Sequence, residues 1–312
     1  MKNSILILFI LTISGCSEKK DIPSVIKVSS GRIERIENFN SNYVSPRNVD
    51  IWLPEGYSNK KKYSVLYMHD GQMLFDSTST WNKQEWSVDE VVGDLIKEGK
   101  IRETIVVGIW NTNQRHSEYF PQKPFEMLNK SYTDSLLNVV KRNPETALFA
   151  APVQSDNYLR FLVTELKSYI DKHYPVNPAK TETFIAGSSM GGLISVYAIC
   201  EYPEIFEGAI CMSTHWIGTF SPERNPIPGT FVKYLKNNLP KPDDHKLYFD
   251  FGTETLDSFY EPFQEQVDSV LISKGFNESN WITKKFSGAA HSEKDWGKRL
   301  NLPLVFMLGK KE

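Results

Sequence analysis

The sequence predicts an α/β fold with a mostly parallel central sheet, helices on both of its faces and a lid-like insertion. Three observations carry this expectation. Short β-rich runs alternate with helical patterns along most of the chain, as strand–helix–strand units do. The runs Val65-Leu66-Tyr67-Met68 and Ile105-Val106-Val107-Gly108-Ile109 are continuously apolar, which is how strands covered on both faces read. Tyr158, Phe161, Leu162, Leu166, Tyr169 and Ile170 recur at helical spacing, the stripe of a helix lying on a sheet.

Composition narrows the classes. The chain has 312 residues, 40% hydrophobic and 24% charged, with 12% aromatic and a net charge of −2. That aromatic content excludes disorder as the main state. A near-neutral balance without a basic block excludes a dedicated nucleic-acid binder. Three cysteines are too few for a disulfide scaffold. Length alone is compatible with two domains, but the unbroken alternation argues for one, over residues 25–312.

The first segment reads as an address. Met1-Lys2-Asn3 is a positive start, and residues 5–13 form an apolar run too short to span a bilayer. Ile13-Ser14-Gly15-Cys16 resembles a bacterial lipobox. The resemblance implies a signal peptide over 1–15, lipidation of Cys16 and a polar tether over 16–24. The chain is then expected to be membrane-anchored in the bacterial cell envelope, on the periplasmic face or the cell surface. A soluble-secretion signal that happens to hold a cysteine is the alternative.

The remaining elements follow in order. Residues 25–39 read as an antiparallel edge strand, and further strands are expected at 48–53, 63–69, 104–110, 183–187, 208–213, 246–251 and 281–286. Helices are expected at 88–98, 157–173, 190–201, 231–238 and 262–274, with a last one after His291. Cys200 lies near the end of a predicted helix and Cys211 in a predicted strand, both read as buried free thiols with a disulfide as the alternative. Residues 111–155 break the rhythm: about 45 residues with scattered Pro, Asn and Lys and weak periodicity, the length of a lid or binding loop. They follow a predicted strand, the end at which such sheets place ligands, so a substrate cap is expected.

Chemistry enters at Gly187-Ser188-Ser189-Met190-Gly191, a G-x-S-x-G pattern between an apolar run and a small-residue helix. In that context the central Ser189 occupies a strained strand-to-helix turn that projects its hydroxyl, and the helix N-terminus favours developing negative charge. A serine nucleophile needs a base. His291 stands in a small-residue loop just past the last predicted strand, where the base belongs in the chain order Ser, acid, His. His245, in a polar Pro-Lys-Pro-Asp-Asp-His linker, reads as a solvated surface residue. His215 and Trp216 follow a strand and are candidates for lining the pocket, with packing as the alternative role for His215. The acid should follow the strand ending near Phe251: Asp257 is favoured, Glu254 is the alternative, and a dyad without a carboxylate stays open, while Asp250 falls within the strand. The oxyanion hole should combine the Met190 N–H with one from His69-Asp70-Gly71-Gln72, where Gly71 permits a sharp turn and Gln72 donates.

His69-Asp70-Gly71-Gln72, Gly187-Ser188-Ser189-Met190-Gly191-Gly192, Gly252-Thr253-Glu254-Thr255-Leu256-Asp257 and Gly288-Ala289-Ala290-His291-Ser292-Glu293 occur in this order. Together they resemble the putative-esterase family of α/β-hydrolases, over most of residues 40–308. That family includes enterochelin esterases, family-1 carbohydrate esterases, S-formylglutathione hydrolases and mycolyltransferases. Asn111, Arg115 and Glu118-Tyr119-Phe120-Pro121 resemble the pocket-side segment of its enterochelin-esterase-like branch, which makes Arg115 a substrate-binding candidate. One departure stands out: many members carry the acid three residues after the strand-ending glycine, where this chain has Thr255. The resemblance implies an α/β-hydrolase fold and a serine carboxylic-ester hydrolase working through an acyl-enzyme. Its substrate would be a carbohydrate acetyl or feruloyl ester, or a siderophore ester whose negative charge calls for basic residues such as Arg115, Lys123 and Lys130. An acyltransferase using the same Ser–His machinery and a non-catalytic binding protein on this scaffold are the alternatives. No metal or organic cofactor is expected, since neither the chemistry nor the spacing of His and Cys asks for one.

Overall fold

The structure is a computed structural model that describes residues 26–310. The expected leader 1–15, Cys16 and the tether 16–24 lie outside the described residues. Eight strands form one sheet: β1 (Arg32–Phe39), β2 (Arg47–Leu53), β3 (Ser64–His69), β4 (Thr104–Ile109), β5 (Thr183–Ser188), β6 (Gly208–Met212), β7 (Lys246–Gly252) and β8 (Trp281–Phe286). Their order is β1-β2-β4-β3-β5-β6-β7-β8. The β1–β2 and β2–β4 pairs are antiparallel and the other five are parallel. This is the expected mostly parallel sheet, with the antiparallel strand β1 at its edge. Only the start of β1 differs from expectation. Residues 26–31 run as coil, where the Ser29 N–H donates at 2.6 Å to Asp89 of the first helix and the Lys27 N–H at 3.0 Å to Asp76 of the loop before it.

Pleating explains the two-sided apolar strands. On β3, Val65 and Tyr67 join one buried cluster while Leu66 and Met68 join the other. On β4, Ile105, Val107 and Ile109 face the first cluster and Val106 the second. Helix α1 (Val88–Lys97) covers the second face with Val88, Val92 and Leu95. The first face is covered by a continuous helical run from α5 (Ser155–Arg160) through a π-helical turn (Phe161–Leu166) to α6 (Lys167–His173). It is also covered by α7 (Met190–Glu201), α8 (Ile227–Asn238) and α9 (Glu261–Ser273). Helices α10 (Glu293–Arg299) and α11 (Asn301–Leu308) end the chain, and α11 returns to the second face through Leu304, Met307 and Leu308. Helix α7 is buried on every side from Met190 to Ile199, so it carries no polar stripe. Cys200 and Cys211 are free thiols.

The insertion is not the structureless stretch its weak periodicity suggested. It folds into three short helices, α2 (Arg115–Tyr119), α3 (Gln122–Glu126) and α4 (Lys130–Asn138). Phe120, Phe125 and Phe149 pack against one another with ring centroids 5.6 to 5.8 Å apart, and Phe120 meets Phe231 of α8 at 5.4 Å. Glu118 accepts two hydrogen bonds from the Arg47 guanidinium, at 2.9 and 2.6 Å, both side chains being fully buried. Helices of five residues, as α2 and α3 are, have too few turns to display a 3.6-residue stripe, so only tertiary contacts reveal them.

Candidate active site

Parallel strands bring the site together at one end of the sheet. Strands β5, β6, β7 and β8 are successive neighbours, and Ser189, Ser213, Asp257 and His291 each follow the carboxyl end of one of them. Strand β3, on the other side of β5, delivers His69, Asp70, Gly71 and Gln72 to the same end.

Ser189 sits between β5 and α7 with φ 56° and ψ −121°, a conformation an L-residue adopts only when its surroundings over-determine it. They do. The Ser189 N–H donates to the Met212 carbonyl at 2.9 Å, and its carbonyl accepts from Gly192 and His215 at 3.0 and 3.2 Å. The glycines of the pattern are there for close approach: a Cβ on Gly187 would lie 2.6 Å from the Gly191 carbonyl carbon, and one on Gly191 would lie 3.3 Å from the His69 Cβ. The Ser189 hydroxyl makes no hydrogen bond to any described residue, so it is free to meet a ligand.

Asp257, not Glu254, touches His291. The His291 Nδ1–H donates to Asp257 Oδ1 at 2.5 Å, which leaves Nε2 without a partner among the described residues. Asp257 Oδ2 accepts from the Ser213 hydroxyl at 2.5 Å and the Gly252 N–H at 2.6 Å, so the carboxylate is buried but satisfied. Glu254 is exposed. Two loops are stitched together here. Thr253 and Glu254 donate to the Ala289 carbonyl at 3.0 Å, and Thr255, with φ 54°, accepts the His291 N–H on its hydroxyl at 2.9 Å. Thr255, three residues after the strand-ending Gly252, therefore holds the backbone of the histidine.

Three supporting residues were not found from the sequence. The Trp296 indole N–H donates to the Ser213 hydroxyl at 2.9 Å, and its ring stands edge-on to His291 at 4.9 Å. Arg299 donates to the Ser213 hydroxyl at 3.0 Å and to both oxygens of Asp250, at 3.2 and 2.9 Å. Ser213 itself has φ 43°. Spacing held a clue for two of them, because Trp296 and Arg299 are three apart and share one face of α10. Nothing in the sequence marks Ser213. Asp250 plays the structural part expected of a strand carboxylate, and burial raises its pKa against the pull of Arg299.

On the oxyanion side, Met190 is the first residue of α7, so its N–H has no intrahelical acceptor. Gln72 lies in a 3-10 turn, Gly71–Met73, entered through Asp70 at φ 59° and ψ 43°. The left-handed residue is thus Asp70 rather than Gly71. Gly71 is needed for contact with the next strand, since a Cβ there would sit 2.5 Å from the Gly108 carbonyl carbon.

The expected pocket residues divide. His215 is buried with its Nδ1 2.6 Å from the Tyr260 hydroxyl, and the Tyr260 ring stands edge-on to His291 at 5.8 Å. Burial, reinforced by His291, holds the His215 pKa well below its ordinary value, so this imidazole is neutral. Burial with the nearby Asp257 charge raises Tyr260, which keeps its phenol protonated. Trp216 departs from expectation. It belongs to the core against Phe231 and Phe249, with its indole N–H donating to Gln264 at 2.9 Å, because the chain turns inward after His215. The Arg115 guanidinium is engaged with Asp70 at 2.7 and 2.6 Å while its side chain stays partly exposed. His245 is buried rather than solvated, its ring nitrogens 2.9 and 2.8 Å from the carbonyls of Lys241 and Pro203. An open cavity of about 680 Å³ between α9 and β8 contains none of the site residues.

Comparison with known proteins gives a family and a fold. A family model described as "Putative esterase" matches residues 41–303. The uncharacterized protein YbbA of Bacillus subtilis (strain 168) is 24% identical over 273 residues, 85% of this chain and 93% of that one. Among solved structures, a CE1 ferulic acid esterase from Anaeromyces mucronatus, in complex with ferulic acid, superposes with a TM-score of 0.60 at 18% identity, covering 90% of this chain and 93% of that one. The enterobactin esterase of Shigella flexneri superposes with a TM-score of 0.60 at 16% identity, covering 91% of this chain and 61% of that one.

Proposed function

The chain belongs to the "Putative esterase" family and is a carboxylic-ester hydrolase, and on that premise we propose that it works by serine catalysis through an acyl-enzyme. The observation that carries the reading is the His291–Asp257 bond at 2.5 Å, at the same end of the sheet as a serine held in an elbow with its hydroxyl unbonded. With Nδ1–H committed to Asp257, Nε2 is the nitrogen left to take a proton. In the proposed reaction the Ser189 hydroxyl gives its proton to His291 Nε2 as Oγ bonds to the ester carbonyl carbon. The π pair moves to the carbonyl oxygen, which receives the Gln72 and Met190 N–H groups. Collapse breaks the bond to the alcohol, which leaves with the proton from His291. Water then gives a proton to His291 and attacks the acyl carbon, and Ser189 departs reprotonated with release of the acid. Asp257 orients the imidazole and stabilises its charged form.

For the substrate we favour a neutral carbohydrate ester, acetyl or feruloyl, over a catecholate siderophore ester. A polyanionic ligand calls for free positive charge, and each of the three basic side chains expected to serve is already paired with a carboxylate: Arg115 with Asp70, Lys123 with Glu201 and, at the exposed surface, Lys130 with Asp134. The envelope location and the lipid at Cys16 belong to the same proposal. Wild type and Ser189→Ala are to be compared on 4-nitrophenyl acetate, methyl ferulate, acetylated xylan and ferric enterobactin. Turnover of the first three by wild type, lower by on the order of 10⁴-fold or more in Ser189→Ala, is expected, and equal turnover by both proteins would sink the serine mechanism. Turnover confined to ferric enterobactin would overturn the substrate assignment. Release of the domain from the membrane fraction in Cys16→Ser cells tests the anchor.

A further inference from the structure

The loop that carries Gln72 is held by charged groups that lie outside it. Asp70 stands in the left-handed region, a conformation its own backbone does not favour. Both of its carboxylate oxygens are gripped from the insertion: Arg115 Nε donates to Oδ1 at 2.7 Å, Arg115 Nη2 to Oδ2 at 2.6 Å, and Asn111 Nδ2 to Oδ1 at 2.6 Å. The Asn111 N–H in turn donates to the Gln72 side-chain carbonyl at 3.1 Å. The insertion thus holds the residues on both sides of Gly71, which is itself pressed against Gly108 of β4. Burial would push the Asp70 carboxyl up, but the Arg115 charge and the bonds from Arg115 and Asn111 more than offset it, and the pair stays ionised. Arg115 also lies over the Tyr119 ring at 5.3 Å, which fixes the plane of its fork. One residue before that ring, α2 is rooted in the core by the buried Glu118–Arg47 pair.

We infer that Arg115 is a positioning residue for the oxyanion hole: acting through Asp70, it sets the left-handed turn that aims the Gln72 N–H, so the hole is complete only with the insertion docked. This rests on the esterase reading above. A bidentate fork fixes direction as well as distance, which a lysine ammonium cannot do. The consequence is a transition-state effect. The oxyanion exists only after Oγ has attacked, so loosening its donor lowers kcat and leaves KM in place.

The test uses the full chain with 4-nitrophenyl acetate and a fluorophosphonate that forms a tetrahedral adduct on serine. Arg115→Ala is expected to lose about 100-fold in kcat with KM within about twofold, and to react with the fluorophosphonate slower by a similar factor. Millimolar guanidinium should restore part of the kcat of Arg115→Ala, whereas Arg115→Lys should remain low. Asn111→Ala, which removes one of the three bonds to Asp70, should show the same pattern more weakly and serves if the arginine variants fold poorly. An unchanged kcat, or a raised KM with kcat kept, would overturn the inference and make Arg115 a spectator or a substrate contact. A loss that only tracks a lowered melting temperature and resists guanidinium would overturn it too. Absence of Ser189-dependent turnover in wild type would instead remove the esterase reading, so the two failures are distinguishable.

Discussion

At the scale of single residues, Asp257 is decided by direction rather than by proximity in sequence. Both Glu254 and Asp257 follow β7, but the backbone of the first is drawn to the Ala289 carbonyl while its side chain points to water. Asp257 instead turns inward onto Gly252, Ser213 and His291. Asp257→Asn should therefore lower kcat by roughly 10³–10⁴-fold, because the amide disfavours the tautomer with a proton on Nδ1. Glu254→Gln should stay within about threefold of wild type. Steady-state kcat on 4-nitrophenyl acetate checks both, and the reverse ranking would move the acid to Glu254. Ser189 and His291 could be picked from local pattern alone, since each stands in a short motif whose neighbours are small for a steric reason. The acid could only be narrowed to Asp257 ahead of Glu254, because the final choice depends on which loop carbonyl captures which amide.

At the scale of elements, strands and long helices could be read to within a few residues, for each buries a face and so must carry the matching period. The insertion could not, because its order comes from contacts far apart in sequence: His116 with Phe149 at 4.7 Å, Phe120 with Phe231, and Glu118 with Arg47. The joint between the acid loop and the histidine loop is also an element-scale device. A Cβ on Gly252 would lie 2.1 Å from the Ala289 carbonyl oxygen and 3.1 Å from Asp257 Oδ2. Gly252→Ala must therefore part the loops, and kcat should fall by about 10-fold or more. Gly56, at φ +70° with nothing within 4 Å of its would-be Cβ, offers the contrast. Gly56→Ala should cost about 1 kcal/mol of stability through backbone strain, with kcat kept. Thermal unfolding and kcat measured on both variants separate loop displacement from simple strain. A Gly252→Ala enzyme of full activity would show that the loops are not coupled.

At the scale of the whole molecule, buried neutral histidines set the response to acid. Burial, against a partial opposing pull from Asp70, lowers the His69 pKa to about 3, and burial with the Arg115 charge lowers His116 to about 3. His215 is lowered as well. For groups depressed in the folded state, the stability is present above the unfolded pKa near 6.5 and is lost as pH falls toward the folded values. Three protons taken up only by the unfolded chain give a slope of up to about 4 kcal/mol per pH unit around pH 5. Asp89 works the other way: burial and the adjoining Glu90 raise its pKa to about 7, so the stability it contributes is lost as pH rises through that value. One opposing group does not cancel three. The urea midpoint should drop steeply between pH 7 and pH 5, and a flat profile would mean that the histidines titrate freely. The sheet, its apolar strands, the elbow serine and the late histidine were readable from the chain itself, because burial and turn geometry leave periodic and local marks. The choice of Asp257 over Glu254, the supporting Ser213, Trp296 and Arg299, and the role of Arg115 are settled only in the folded molecule, where hydrogen bonds between distant loops choose among chemically equivalent side chains.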